Sequence, residues 1–360
     1  MKNVLIVLAV FIFNCVCAQN KIAVIHYKVI NAQTLSSIFV NDNGKTIYDD
    51  NSKKNEGTIV IKIVEPEKVS LTLNDDQSTT RFFWMHDGNY EMEIDATSKE
   101  IIFKNSKLND SYKYFKRILD SVRIFEDPLF KEMRNTNTTE KERELFLSQI
   151  DSFENIAAKE QYKYLINNPD SYLAIDFIRF HLGANDFDKQ KLKILFNSLP
   201  TDYKQYTTYN LCKEAFQINK TFNIGDTVNN ILLKFSNNTI KSLSECLNNR
   251  YTYLDFWSSG CQSSRINHKS MVKHYKKLKD KINFVSISDD NEKSNWLASI
   301  KKDKIKWMNS CDFKGMLSPI KMQFNIKSMP TGILIDKNGV IIKNDFKKFD
   351  TNALNDSILK

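Results

Sequence analysis

At 360 residues the chain exceeds one ordinary domain of roughly 100–150 residues, so two or three folded units are expected. Its formal charge of +9 is uneven: from Lys220 onward there are 24 Lys/Arg against 13 Asp/Glu, while the first 219 residues balance at −2. The basic character thus belongs to the C-terminal part, and the absence of a recognisable binding module argues against a nucleic-acid partner. The six cysteines are scattered rather than set at the spacings of a disulfide scaffold.

The chain opens with Lys2, an uncharged apolar run from Val4 to Phe13, and Val16-Cys17-Ala18 ahead of Gln19. This predicts a signal peptide over residues 1–18, since the apolar run is too short to span a bilayer. Asn14 and Val16 precede Cys15 and Cys17 where lipidation wants a small residue, so a lipid anchor is disfavoured. No later stretch is long and apolar enough to span a membrane, which predicts an exported chain in the periplasm or cell envelope of a bacterium. Four cysteines survive cleavage: Cys212, Cys246, Cys261 and Cys311.

Residues 19–105 read as a β-rich domain, with runs at Ile22–Ile30, Ser36–Val40, Thr58–Val64, Val69–Leu73, Arg81–Trp84, Tyr90–Ile94 and Glu100–Phe103. Polar turns such as Asn41-Asp42-Asn43-Gly44 separate them, predicting an antiparallel sandwich or barrel. From Leu108 the apolar spacing becomes helical, and residues 106–220 read as a helical segment punctuated by Pro128, Asn168-Pro169 and Leu199-Pro200. Asp and Ser near the last two prolines are expected to cap helices. His181 has no partner at metal-ligand spacing.

Residues 221–360 alternate strands with helices and predict an α/β sheet covered on both faces. Strands are expected at Ile231–Phe235, Tyr251–Trp257, Ile282–Ile287, Gly332–Ile335 and Val340–Lys343. Helices are expected at Ser264–Leu278, Ser294–Ile300, Leu317–Phe324 and Leu354–Leu359. Lys269, Lys273, Lys276, Lys277, Lys279 and Lys281 form a solvated face on the helix that begins at Ser264 and in the turn after it.

Within this region L-D-F-W-S-S-G-C-Q-S-S-R, residues 254–265, runs from a strand into a helix with a cysteine at the junction. Trp257 lies four before Cys261, Asp255 six before it, and Met329-Pro330-Thr331 opens a later strand. The pattern resembles the thioredoxin superfamily, most closely its exported bacterial TlpA/ResA branch, over about two fifths of the chain. The resemblance implies a thioredoxin fold and a cis peptide bond before Pro330. It also implies a buried acid at Asp255 and a substrate ledge at Met329, Pro330 and Thr331. The upstream regions look, by composition only, like the accessory part such proteins often carry.

Two departures bear on chemistry. Ser264 stands where the family carries its second cysteine, and a hydroxyl cannot form a disulfide. Asn267 stands where the ResA branch carries an acid, and Gly260 replaces the usual bulky residue before the cysteine. A helix N-terminus favours the thiolate of Cys261, with Arg265 nearby as a further positive charge. Cys246 and Cys311 read as small buried residues, although either remains open as a resolving thiol. His268 and His274 read as surface residues of the lysine-rich helix.

The expected function is thiol–disulfide exchange through Cys261 alone, with an external resolving thiol and protein thiols or disulfides, or a small-molecule thiol, as partners. No cofactor, metal or nucleic acid is expected. The alternative is a redox-degenerate thioredoxin fold that binds a peptide or partner without turnover. Trp257, Cys261 and Pro330 favour the first reading, Ser264 and Asn267 the second.

Overall fold

The computed structural model describes residues 21–32, 37–42, 45–51, 53–228 and 231–358. The expected signal peptide, the start of the run at Ser36, the turn residues Asn43 and Gly44, and Leu359 lie outside the described residues. The chain divides into two compact units, residues 1–117 and 118–360.

The first unit holds β1 (Lys21–Ile30), β2 (Ile38–Asp42), β3 (Lys45–Asp50), β4 (Glu56–Ile63), β5 (Glu67–Leu73), β6 (Arg81–Met85), β7 (Gly88–Asp95) and β8 (Ile101–Phe103). They form two four-stranded sheets, ordered β4-β1-β7-β8 and β3-β2-β5-β6. Alternate residues of β1 (Ala23, Ile25, Tyr27, Val29) face one core shared with Ile38, Val69, Leu71 and Phe83 of the other sheet, which makes a sandwich. The pairs are antiparallel except β1 with β7. A parallel pair needs a long crossover, which the excursion through the second sheet supplies. Strand β3 is additional to the expected runs, because Lys-Thr-Ile-Tyr-Asp-Asp is mostly polar and carries little strand signal.

Helices follow: α1 (Lys107–Met133), α2 (Glu140–Asn167), α3 (Leu173–Ala184), α4 (Lys189–Ser198) and α5 (Thr207–Ala215). Pro128 lies inside α1 rather than ending it, in the helix's last two turns. The caps are Thr139, which forms a reciprocal capping box with Glu142, and Asp188, which accepts from Gln190 and Lys191. Among the residues expected to cap, Ser171 does not: the N-cap of α3 is Tyr172, which makes no side-chain cap bond.

The remaining elements are β9 (Leu232–Lys234), β10 (Ile240–Ser242), α6 (Leu243–Leu247), β11 (Tyr251–Trp257), α7 (Gln262–Leu278), β12 (Ile282–Ser288), α8 (Lys293–Asp303), β13 (Met308–Cys311), α9 (Pro319–Gln323), β14 (Thr331–Ile335), β15 (Ile341–Phe346) and α10 (Thr351–Ile358). The main sheet runs β13-β12-β11-β14-β15. Strands β11, β12 and β13 are parallel, and β14 pairs antiparallel with β11 and β15. Side-chain alternation along β11 builds a core on each face. Leu254 and Phe256 join Phe324 and Ile333 on one side, while Tyr253 joins Met271, Phe284 and Leu354 on the other. Helices therefore cover both faces, with β11 at the centre, and the chain leaves its buried C-terminal end through a short turn into α7.

Candidate functional site

Strand β11 ends in Trp257, fully buried against Trp296 and Cys311. The chain turns through Ser258, Ser259 and Gly260 and enters α7, whose N-cap is Cys261. Several bonds hold this turn. Cys261 N donates to Ser258 O at 3.1 Å, Asp289 N to Trp257 O at 3.1 Å, and Ser259 Oγ to Asp290 Oδ1 at 2.5 Å. Ser259 N also donates to the Asp290 carboxylate, at 3.2 Å, and Ser288 Oγ binds the same carboxylate. Asp290 thus anchors the loop that carries the cysteine. Sequence reasoning missed it, since it lies 31 residues from Ser259 without a fixed-spacing motif.

Cys261 is partly exposed, while Cys212, Cys246 and Cys311 are buried. Its Sγ donates to the carbonyl of Met329 at 3.4 Å, a contact that requires the thiol form. The Met329–Pro330 bond is cis, Pro330 is buried, and Thr331 pairs with Phe256 on β11. Thr331 Oγ1 donates back to Ser328 O at 2.8 Å, closing the loop. A side chain at Gly260 would meet nothing within 4 Å, so this rim of the site is open.

Beneath the cysteine lies a buried polar cluster. Asp255, fully buried, accepts from Ser286 Oγ at 2.7 Å and pairs through the same oxygen with His268 Nε2 at 2.9 Å. His268 Nδ1 faces Asp303 Oδ2 at 3.4 Å, and Arg265 makes a two-pronged bond to the Asp303 carboxylate. Trp257 stacks edge-on to the His268 ring at a centroid distance of 4.6 Å.

This corrects the surface expectation for His268, which has no exposed area. Ser264, Asn267, His268 and Met271 recur at three- and four-residue steps and line the buried face of α7. Burial opposes the imidazolium, but the hydrogen bond and charge of Asp255, then those of Asp303, outweigh it and hold the His268 pKa above its ordinary value. His274 is half-buried, its Nδ1 on Ser270 O at 2.9 Å.

Arg265, expected as a free positive charge beside Cys261, is committed to Asp303, and also donates to Ser299 Oγ at 2.9 Å and Ser259 O at 3.2 Å. Asn267 accepts from Phe349 N at 2.5 Å, a structural bond. Ser264 is fully buried and its hydroxyl has no hydrogen-bond partner among the described residues. Both His268 nitrogens face carboxylates, so the ring has no spare acceptor for the Ser264 hydroxyl, and a Ser-His-Asp hydrolytic arrangement is excluded.

Burial pushes the Cys246 thiol up to about 11 and the Cys311 thiol to about 12. Cys311 Sγ is turned to Asp290 O at 3.3 Å. Neither has the low-pKa, accessible character that a resolving thiol needs.

Among the described residues no helix is long and apolar enough to cross a membrane. No curated protein matches the chain. Among solved structures it is similar to a thiol-disulfide oxidoreductase from Bacteroides fragilis, at 28% identity over 37% of this chain and 98% of that one, with a TM-score of 0.34. It is also similar to the thioredoxin domain of a Bacteroides vulgatus thiol-disulfide oxidoreductase, at 22% identity over 39% of this chain and 97% of that one, TM-score 0.34. Residues 248–341, which span β11, α7 and the Met329–Pro330 loop, match the family described as thioredoxin-like. The C-terminal part of this chain is therefore a thioredoxin-like domain, preceded by a β-rich region and a helical segment.

Proposed function

We propose that the chain is an exported thiol–disulfide exchange protein that works through Cys261 alone. The observation carrying this reading is that, of the four cysteines among the described residues, Cys261 alone is partly exposed, at the N-terminus of α7 and beside Met329 O. The helix terminus presents unpaired backbone N–H groups that favour a thiolate.

In the exchange, the Cys261 thiol gives up its proton and the thiolate attacks a substrate disulfide. One Cys261–substrate disulfide forms, the substrate disulfide breaks, and the leaving sulfur departs as thiolate and takes a proton from water. An external thiol then attacks the mixed disulfide, regenerating Cys261 and leaving the substrate joined to the external sulfur. Ser264 makes that second thiol external. Met329, Pro330 and Thr331 supply the edge on which an extended protein substrate lies, and Asp255 and Trp257 support the site from below. Protein thiols or disulfides are the partners, in the bacterial cell envelope.

The second reading, a binding module without turnover, draws on the Cys261 Sγ contact with Met329 O, which satisfies the thiol form in the resting protein.

Insulin reduction and intact-mass spectrometry on the wild type and Ser264→Cys separate the two. Exchange predicts a trapped mixed disulfide with glutathione in the wild type. In Ser264→Cys it predicts an internal disulfide between Cys261 and the introduced thiol, loss of the trapped species, and at least a tenfold gain in insulin reduction. If Ser264→Cys forms that disulfide and neither protein exchanges with any thiol, the binding reading replaces the exchange reading.

A further inference from the structure

Hydrogen bonds join four charged groups under the Cys261 loop into one cluster, Asp255, His268, Asp303 and Arg265, of which Asp255 and His268 are fully buried and Asp303 and Arg265 partly exposed. Asp255 comes from β11, Asp303 ends α8, and Arg265 and His268 lie on α7 itself. The other neighbours of the imidazole are neutral. Ser286 of β12 binds the same Asp255 oxygen, Trp257 stacks on the ring, and the Trp307 indole lies 6.1 Å from it by centroids while donating to Ser286. A further charge, Asp290, acts on Arg265 and is bonded to Ser259 and Ser288 on the loop side.

With His268 doubly protonated the four charges sum to zero. With one proton lost, a net negative charge remains, buried two helical turns below Cys261. Seven residues at 1.5 Å rise put that charge about 10 Å from the cysteine along the helix. A buried charge is screened far less than a surface one at that distance.

Resting on the reading of Cys261 as the nucleophile, we propose that His268 is a positioning residue for its chemistry: it closes the Asp255–His268–Asp303–Arg265 cluster, and its second proton keeps negative charge from building up beneath the thiolate. Nucleophilicity at Cys261 is thereby tied to a protonation event at a side chain that does not touch the substrate. The raised pKa of His268 agrees with this, because it extends the neutrality of the cluster upward from the ordinary imidazole range. The proposal also gives Asp255 a different part from that of a lone buried acid. Its Oδ2 is fully engaged by His268 and Ser286, so it serves as the counter-charge of an imidazolium.

The test is the pH dependence of iodoacetamide alkylation at Cys261 in the whole mature protein, read from the modified peptide by mass spectrometry. The wild type should show a rate that rises with pH less steeply than one proton requires, because His268 loses its proton while the thiol ionises. In His268→Gln the cluster stays negative at every pH. Alkylation should then be slower by roughly 15-fold near pH 6.5, the size of a unit charge at that distance through an effective dielectric near 20, and should converge on the wild type at high pH. Asp303→Asn removes a negative charge instead and should accelerate alkylation below neutrality. A purely structural disturbance would move both variants the same way, so opposite signs carry the proposal, and Asp303→Asn with the wild-type slope decides it should His268→Gln fail to fold. Variants that track the wild type, or that shift in the same direction, overturn it. A wild-type Cys261 that does not alkylate at all overturns the exchange reading itself.

Discussion

A buried imidazole between two carboxylates stabilises a fold most while it carries its second proton. The folded-state pKa of His268 is raised, so its contribution is fully present below the unfolded value of about 6.5 and is lost as pH rises through the folded value. The urea midpoint of the protein should therefore fall as pH rises above about 6.5, and His268→Gln should flatten that decline while lowering stability on the acid side. A midpoint that rises over the same window would contradict the imidazolium assignment. At this scale the sequence exposed only what is written at fixed spacing: Trp257 and Asp255 before Cys261, Ser264 after it, and the Met329-Pro330 pair. The partners of His268 lie 13 and 35 residues away, and the anchor of Ser259 lies 31 away. No local pattern links them, and a histidine among lysines looks solvated until the facing carboxylates are known.

Pairing β14 against β11 at the centre of the sheet leaves a point of extreme crowding. Gly332 pairs with Asp255, and a Cβ built on it would lie 2.1 Å from the Tyr253 hydroxyl. That ring is fully buried among Phe284, Phe346 and Phe349 and has no free direction in which to swing. Gly332→Ala would ordinarily gain from reduced chain entropy, yet here overpacking should prevail and cost about 1–3 kcal/mol in urea unfolding. An unchanged midpoint would mean that the Tyr253 ring yields. Elements with strong periodicity, such as β11, β12 and α7, were legible in the sequence because both core faces demand apolar residues there. Strand β13, Met-Asn-Ser-Cys, was not: it is set by pairing with β12 and by Asn309 accepting from the Trp296 indole at 2.8 Å, both long-range facts.

Within residues 118–360 the helical segment packs directly on the thioredoxin-like part. Composition did not reveal this, because the texture changes near residue 220 as if one domain ended there. The seam is specific: Lys314 Nζ meets Glu214 at 2.5 Å, Asn185 donates to Asn325 at 3.0 Å, and Arg179 lies against Met316. At its centre Gly183, in the last turn of α3, admits the 315–317 turn so closely that an added Cβ would lie 2.6 Å from Met316 Cβ and 3.0 Å from its backbone oxygen. Two effects of Gly183→Ala then oppose each other. Helix propensity favours alanine by about 1 kcal/mol, while forcing backbone away from backbone in a packed seam costs about 1–3 kcal/mol. Because a carbonyl cannot retreat as a flexible side-chain tip can, packing should win. The variant should be destabilised, with hydrogen exchange faster in both α3 and the segment from 312 to 326, although those stretches are more than a hundred residues apart. Stabilisation by Gly183→Ala, or faster exchange confined to α3, would show that the two parts fold as independent bodies joined only by the chain.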